Sequence, residues 1–360
     1  MERALNFNAG PASLPEPVLR QAQEEWLNYQ GTGMNVMEMS HRSKEYEEIH
    51  LGAKTLLARL LSIPENYEIL FLQGGASLQF TMVPLNLLET GKKGLYVLTG
   101  SWSEKALEEA EKIGDTEIVA SGKDGQYKAI PSLDSFSGKL DGGSYLHLTS
   151  NNTIYGTQWQ EFLGHSPIPV VADMSSDILS RPIDISSFGL IYAGAQKNLG
   201  PAGVTVVIIR KDMLGQPDDS LPTMLDYRTH LKNDSLYNTP PTMSVYLLKL
   251  VLEWAESLGG IQAIEKRNKE KASILYQAID ESSGFYRGHA EKDSRSLMNI
   301  TFTLESEKLT QSFLLEAKAR GFIGLNGHRS IGGCRASIYN AVPLGHAEKF
   351  ASFLKEFRAR

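Results

Sequence analysis

The sequence predicts an α/β protein with a mostly parallel seven-stranded sheet and a second, smaller α+β unit. Seven short apolar runs alternate with helical patterns between residues 68 and 209, which is typical of a parallel sheet covered by helices. Beyond Gly284 the predicted order is strand, helix, strand and helix, which indicates an α+β unit. A chain of 360 residues with 41% hydrophobic content can bury a core in both units.

Two helices are predicted before the sheet. Apolar residues at helical spacing indicate the first over 16–29, and Ser43 opens the second, which ends near Pro64. The candidate strands of the sheet are 68–72, 95–98, 117–120, 145–148, 170–172, 190–193 and 204–209. Residues 212–242 lack clear periodicity, so we expect an extended excursion there.

The rest of the chain is predicted to form the smaller unit. Gly259 and Gly260 separate a helix over 244–256 from one over 261–279. The elements after them are a strand over 298–304, a helix over 309–320, a strand over 335–338 and a helix over 344–358. We expect a large domain over 18–258 and a small domain made of 1–17 and 259–360, with a shared cleft as the place for chemistry.

Charge and cysteine usage exclude several classes of protein. The net charge of −6 is spread without long like-charge blocks, which argues against nucleic acid as a partner. No apolar run approaches the length that spans a bilayer, and no basic segment precedes an apolar one at the start, so we expect a cytoplasmic protein without membrane contact. Cys334 is the lone cysteine, which excludes an intrachain disulfide and a cysteine zinc cluster.

A lysine and an aspartate follow two of the predicted strands. Lys197 lies in Gly-Ala-Gln-Lys-Asn-Leu-Gly just after the run 190–193, and Asp173 closes the run 168–172. Small neighbours can desolvate such a lysine enough for its amine to attack an aldehyde, and a fixed carboxylate keeps a pyridinium nitrogen protonated. The pair indicates pyridoxal phosphate chemistry; the alternative is a solvated loop lysine and a helix-capping aspartate.

A candidate phosphate site follows the predicted strand 68–72. Gln73-Gly74-Gly75-Ala76-Ser77 precedes a helical stretch, where the amides of Ala76 and Ser77 and the Ser77 hydroxyl can bind an anion. An ordinary strand-to-helix connection would contain the same glycines. The segment lacks the residue order of a Walker P-loop.

Other polar and aromatic residues occupy neighbouring loops. Trp102 opens a helix after the run 95–98 and suits either stacking on a cofactor ring or anchoring the core. Thr153 follows the run 145–148 and can reach a ring substituent. The cationic side chains in predicted loops or at strand ends are His41, Arg42, His328, Arg329 and Arg335. Each alone is typical of a surface charge, but together they suit a substrate with an anion at both ends.

Four segments, 6–12, 38–42, 73–77 and 194–198, match a known family in combination. They resemble the phosphoserine aminotransferase group of the class V pyridoxal-phosphate-dependent aminotransferases, and the resemblance extends over essentially the whole chain. It implies a fold type I homodimer with active sites at the subunit interface. It also implies a ping-pong transfer between phosphoserine with 2-oxoglutarate and 3-phosphohydroxypyruvate with glutamate, in serine biosynthesis, and a related role on 4-phosphohydroxythreonine in vitamin B6 synthesis.

The resemblance also implies a role for each matching residue. Lys197 would bind the cofactor covalently and then move a proton, Asp173 would hold the ring nitrogen proton, and Trp102 would stack on the ring. Thr153 would bind the phenolic oxygen of the cofactor. The cofactor phosphate would be bound by Ala76, Ser77 and Gln196, and by Asn238 and Thr239 across the dimer interface. Arg335 would bind the substrate α-carboxylate. The distal anion would be bound by His41, Arg42, His328 and Arg329, some of them from the other subunit.

Three other functions stay open at this point. A cysteine desulfurase-like enzyme needs a mobile nucleophilic cysteine, but Cys334 should point to the opposite face of its strand from Arg335. A binding protein without turnover is disfavoured by the intact Lys197 and Asp173. A transaminase for an ordinary dicarboxylate or for alanine fits the same fold, because carboxylate and phosphate attract similar arginines.

Overall fold

The computed structural model describes residues 3–215 and 220–359 and contains the predicted seven-stranded sheet. The strand order is β2-β10-β9-β8-β5-β3-β4. Strand β10 runs antiparallel to both of its neighbours, and the other pairs are parallel. The strands of the described residues are β1 Leu5–Asn6, β2 Tyr67–Leu72, β3 Lys93–Leu98, β4 Thr116–Ser121, β5 Gly143–Thr149, β6 Asn151–Asn152, β7 Thr157–Gln158, β8 Val170–Asp173, β9 Leu190–Gly194, β10 Thr205–Arg210, β11 Arg287–Gly288, β12 Asn299–Thr303, β13 Phe322–Ile323 and β14 Cys334–Ser337.

Helices cover both faces of this sheet. The α-helices of the described residues are α1 Glu16–Glu24, α2 Lys44–Leu61, α3 Gly75–Leu87, α4 Ser101–Ala110, α5 Tyr227–Lys232, α6 Thr242–Ser257, α7 Gly260–Asp280, α8 Glu307–Ala319 and α9 Leu344–Arg358. None of them combines the length and apolar composition needed to cross a bilayer. Every residue of β5 and β9 is buried, which explains why these strands are continuous apolar runs rather than alternating ones.

The topology places six strand ends at one edge of the sheet. Because β10 is antiparallel to β2 and β9, strand β2 points in the same direction as the five mutually parallel strands. The segments that follow β2, β3, β5, β8 and β9 therefore meet at the same edge, where ligands of open α/β sheets bind. At these strand ends lie seven of the residues that the sequence singled out: Ala76, Ser77, Trp102, Thr153, Asp173, Gln196 and Lys197.

The C-terminal part of the chain has its own sheet and its own core. Strands β11, β12 and β14 form a three-stranded sheet, and helices α7 and α9 pack on each other. Its core is rich in phenylalanine, including Phe302, Phe313 and Phe350. Phe7, from the start of the chain, joins this core, and β1 pairs with β13.

The prediction that the first helix reaches residue 29 is wrong, because α1 ends at Glu24. Two asparagine side chains bind the backbone beyond that point. The side chain of Asn28 accepts a hydrogen bond from the Gly33 amide at 2.7 Å, and the Asn35 side chain donates to the carbonyl of Trp26. Side-chain bonds of this kind compete with helical ones, so the chain turns although its apolar spacing continues.

The extended excursion predicted over 212–242 contains a short helix that the sequence did not indicate. Helix α5 begins after Asp226, whose carboxylate accepts from the Arg228 amide at 2.9 Å as an N-cap. With six residues it is too short to show a helical period. Residues 216–219 of this segment lie outside the described residues, as do residues 1–2 and 360 of the predicted domain bounds.

Lys271 is a buried cation that joins α7 to the loop after β14. Its exposed fraction is 1%, and its amine donates to the carbonyls of Ile338, Tyr339 and Val342 at 2.8, 2.7 and 3.1 Å. Burial lowers the pKa of Lys271 to about 7, yet three acceptors match the three N–H bonds of an ammonium group. We therefore assign the charged form at neutral pH.

Replacing Lys271 by methionine should destabilise the protein by about 3 kcal/mol or more, because three buried carbonyls lose their donor. The midpoint of urea denaturation measures the effect. Lys269→Met is the control on the same helix, since Lys269 is exposed and pairs with Glu265 in an i,i+4 surface contact, and it should change stability by less than about 0.5 kcal/mol. Equal losses in the two variants would contradict the structural role of Lys271.

Candidate active site

A cleft of about 700 Å³ opens at the edge of the sheet where the parallel strands end. It is lined by most of the residues that the sequence singled out. They are Ala76, Ser77, Trp102, Thr153, Asp173, Gln196, Lys197, His328 and Arg335. The sheet thus brings together side chains from five separate loops, and β14 adds a cation from the smaller unit.

Lys197 lies just beyond β9 and is enclosed by the N-terminal segment. The backbone of Gly10 packs against its side chain, so a Cβ atom at Gly10 would lie 3.4 Å from Cε of Lys197. The Ala12 amide donates to the Gln196 carbonyl at 2.9 Å. Burial lowers the pKa of Lys197, Asp173 acts in the opposite direction, and the charge of Arg335 lowers it further. These are the conditions for a reactive neutral amine.

Asp173 is the last residue of β8 and is buried. Its carboxylate accepts a hydrogen bond from the Ser175 amide at 2.9 Å, and the Ser175 hydroxyl in turn accepts from the Gly194 amide at 3.0 Å. Burial raises the pKa of Asp173, whereas the bonds from Ser175 and the charge of Lys197 lower it. The carboxylate is therefore fixed in place near the Lys197 amine.

The loop after β2 presents free backbone amides to the cleft. Gly74 and Gly75 have φ of +86° and +65°, which is the region that favours glycine. Helix α3 begins at Gly75 without a side-chain cap, so its first amides, including those of Ala76 and Ser77, have no intrahelical acceptor. An anion such as a phosphate satisfies amides of this kind.

Trp102 and Thr153 form one wall of the cleft. The indole Nε1 of Trp102 donates to Oγ1 of Thr153 at 3.2 Å, which fixes the ring relative to the loop after β6. A guanidinium nitrogen of Arg335 donates to the Thr153 carbonyl at 2.9 Å. The same loop therefore positions an aromatic ring, a hydroxyl and a cation around one space.

Arg335 and Cys334 point to opposite faces of β14. Arg335 lines the cleft, and burial lowers the pKa of its guanidinium. Cys334 is fully buried in the small-unit core, and burial raises the pKa of its thiol to about 12. The predicted orientation is confirmed, and the thiol is unsuited to nucleophilic attack in the cleft.

The predicted cations do not all meet in this cleft. His328 lines it together with Arg335, and burial and the charge of Arg335 lower the pKa of His328. Within the described chain, five predicted site residues lie outside the residues that line the cleft; they are His41, Arg42, Asn238, Thr239 and Arg329. Their roles stay predictions.

A buried polar network behind the cleft escaped the sequence prediction. The amide of Asn151 donates to the Asn299 side chain at 2.8 Å, and that of Asn299 donates to the Tyr339 hydroxyl at 3.1 Å. The Tyr339 hydroxyl then donates to the Ala9 carbonyl at 2.7 Å. The sequence shows Asn299 near the start of the apolar run 298–304. Its partners Asn151 and Tyr339 are distant in sequence, so no local pattern indicates the network.

The donor set of the cleft fits pyridoxal phosphate. A buried amine suits the aldehyde carbon, a fixed buried carboxylate suits the ring nitrogen, and free amides at a helix N-terminus suit the phosphate. Among residues 3–215 and 220–359, no group of three His, Cys, Asp or Glu side chains is placed to hold a metal ion.

Comparisons with known proteins agree with this chemistry. The model of the family described as aminotransferase class-V matches residues 4–350. The phosphoserine aminotransferase of Geobacillus kaustophilus is 66% identical over 360 residues, covering 100% of this chain and 99% of its own. A solved structure on radiation damage of the Schiff base in phosphoserine aminotransferase has a TM-score of 0.98 at 60% identity, and one from Bacillus circulans subsp. alkalophilus has 0.98 at 53%; each alignment covers 100% of this chain and 99% of the other.

Lys197 should be the residue that reacts with pyridoxal phosphate. Borohydride reduction of the protein with the cofactor, followed by peptide mass spectrometry, should place the pyridoxyl label on Lys197, and Lys197→Ala should abolish it. Lys271 is the internal control, because it is as buried but its amine is bound by three carbonyls. Labelling of Lys271 with Lys197 unmodified would contradict the assignment.

Proposed function

The chain belongs to the class-V aminotransferase family and is a pyridoxal-phosphate-dependent transaminase, and from this premise we propose that it acts on phosphoserine. The reaction is a reversible transfer of an amino group between glutamate and 3-phosphohydroxypyruvate, with 2-oxoglutarate and phosphoserine as the other pair, in a ping-pong cycle. The proposed context is serine biosynthesis, with 4-phosphohydroxythreonine in vitamin B6 synthesis as a related substrate. The high identity to phosphoserine aminotransferases along the whole chain supports it.

The observation that carries the proposal is the placement of Arg335 and His328 in the same cleft as Lys197 and Asp173. Arg335 is proposed to bind the α-carboxylate of the substrate, because a guanidinium pairs with a carboxylate through two hydrogen bonds. His328 is proposed to contact the distal phosphate. A substrate with an anion at each end would then be held with its α-carbon near the lysine.

Lys197 is proposed to move the proton during turnover. Bound pyridoxal phosphate supplies an electron sink that stabilises negative charge at the substrate α-carbon. The Lys197 amine, whose pKa is lowered by burial and by the charge of Arg335, would take the proton from the substrate α-carbon and deliver it to C4′ of the cofactor. Asp173 would hold the proton of the ring nitrogen, and Trp102 would stack on the ring.

Four residues are proposed to hold the cofactor in place. The amides of Ala76 and Ser77 and the side chain of Gln196 would bind its phosphate. The Thr153 hydroxyl, already bonded to Trp102, would reach its phenolic oxygen. The N-terminal segment around Gly10, which packs against the Lys197 side chain, would exclude water from the amine.

The residues outside the cleft lining are proposed to serve a second subunit of a homodimer. His41, Arg42, Asn238 and Thr239 would then complete the site of the partner, and Arg329 would assist His328. Exposed apolar side chains of the segment before His41 support an interface there. They are Trp26, Leu27, Met34 and Met37, with exposed fractions from 39% to 80%, and such exposure is typical of association surfaces.

Two further assignments belong to the proposal. We assign a large domain to 18–258 and a small domain to 1–17 with 259–360, because the two main apolar cores separate near these bounds. We also propose a cytoplasmic location and no nucleic-acid or membrane partner, from the spread of charge along the chain.

Addition of phosphoserine without a keto acid should bleach the yellow absorbance of the purified holoenzyme, because a single half-reaction consumes the aldehyde form of the cofactor. A visible spectrum before and after addition measures this, and serine and alanine are the controls without a phosphate. A yellow protein that responds to alanine but is indifferent to phosphoserine would overturn the substrate and favour an ordinary transaminase.

Arg42→Ala should impair phosphoserine turnover more than alanine turnover, and its defect should be corrected by a second subunit. Hybrid dimers of Arg42→Ala and Lys197→Ala chains contain one site with both residues intact if Arg42 acts across the interface. Mixing the impaired Arg42→Ala homodimer with the inactive Lys197→Ala homodimer should therefore raise activity above that of Arg42→Ala alone, measured by the phosphoserine-dependent release of glutamate. If no activity returns, Arg42 acts within its own subunit or has no role.

A further inference from the structure

The turn after α5 has a backbone conformation that requires support. Asp234 and Ser235 are consecutive non-glycine residues with φ of +47° and +62°. Residues with side chains rarely adopt this left-handed region, and they stay there only where surrounding contacts hold them. The turn lies next to α2 and β2 and contacts both.

Contacts from two other elements hold this turn. The Ser235 amide donates to the His230 carbonyl at 2.7 Å, and the Ser235 hydroxyl accepts from the Phe71 amide of β2 at 3.0 Å. The carboxylate of Asp234 accepts a hydrogen bond from the Lys54 amine of α2. His50, one turn earlier on α2, places Nε2 at 3.5 Å from the same carboxylate.

The ion pair is shielded from water on the side of α2, whereas the Asp234 side chain is 44% exposed. The Lys54 side chain is 19% exposed and that of His50 is 1% exposed. Burial acts to raise the pKa of Asp234, but the bonds and charges of His50 and Lys54 outweigh it and lower the pKa to about 2. The carboxylate is therefore charged at any pH at which an aminotransferase works, and Lys54 is its closest cation.

The turn determines where the next residues go. Four residues later, the Thr239 carbonyl accepts from the Gln73 side chain at 3.3 Å, directly before the glycine loop of the phosphate site. At the start of α6, the Ser244 hydroxyl donates to the Ala202 carbonyl at 3.0 Å, and Ala202 lines the cleft. The segment 236–241 is thus anchored at the cleft rim at one end and at the Asp234 turn at the other.

We propose that Lys54 and Asp234 are positioning residues for the cofactor phosphate that is bound in the site of the partner subunit. They hold the left-handed turn, and the turn fixes the direction in which Asn238 and Thr239 are presented. This inference rests on the proposed function, which assigns Asn238 and Thr239 to the phosphate. Neither Lys54 nor Asp234 touches the cofactor; both act through the segment that they anchor.

Holoenzyme variants test the proposal through the dissociation constant of pyridoxal phosphate, measured by absorbance or fluorescence titration. Lys54→Met and Asp234→Asn should each raise that constant about tenfold, because the anchored conformation is no longer favoured. Asparagine tolerates the left-handed region, so Asp234→Asn removes the charge and keeps a residue that fits the turn. Lys54→Arg should restore affinity, and Lys269→Met on the distant α7 surface should leave it unchanged.

A double-mutant cycle with Asn238→Ala separates positioning from general stability. If Lys54 acts through Asn238, the Lys54→Met/Asn238→Ala pair should bind the cofactor about as weakly as Asn238→Ala alone. Losses that multiply would overturn the proposal, as would a lower melting temperature with unchanged cofactor affinity. If Lys54→Met does not fold, the cycle is run with Asp234→Asn.

The same proteins distinguish this inference from the proposed function. If the variants bind the cofactor more weakly and the wild-type enzyme does not react with phosphoserine, the positioning role is upheld and the proposed substrate is rejected. If the variants bind the cofactor normally and the wild-type enzyme reacts with phosphoserine, the positioning role is rejected and the proposed substrate is upheld.

Discussion

The hydrogen bond between Asn151 and Asn299 is the interaction on which the arrangement of the cleft depends. It joins β6, which follows strand β5 of the large sheet, to β12 of the small one, and both side chains are almost completely buried. A buried amide without a partner is costly, so the two sheets have one favoured relative position. Arg335 faces Thr301 across β12 and β14, and this position brings its guanidinium to the loop after β6.

Burial acts on the two central ionisable groups in opposite senses. It lowers the pKa of Lys197 and raises that of Asp173, because the charged form of each is penalised. Their mutual attraction counteracts both effects, and Ser175 adds hydrogen bonds that favour the Asp173 carboxylate. The charge of Arg335 acts in the same direction as burial and lowers the pKa of Lys197 further, which favours the neutral amine.

Local patterns predicted the parts of the site that follow strands. Lys197, Asp173 and the glycine loop each come directly after an apolar run, and a parallel sheet brings such positions to one edge. The Asn151 and Asn299 bond joins residues 148 positions apart, which no local pattern reveals. The end of α1 was missed because asparagine side chains, rather than a change in periodicity, terminate it. His41 and Asn238 lie outside the cleft lining, and no local pattern distinguishes a residue that serves another subunit from an ordinary surface residue.

Gly10 packs against Lys197, and this contact can form only late in the synthesis of the chain. The segment around Gly10 reaches the lysine after pairing through β1 with β13, at Phe322 and Ile323. On a ribosome, residues 5–12 emerge early but find their strand partner only after more than three hundred further residues have been added. Contacts so distant in sequence form late. The large sheet can fold first, and the lysine becomes enclosed only when synthesis is nearly finished.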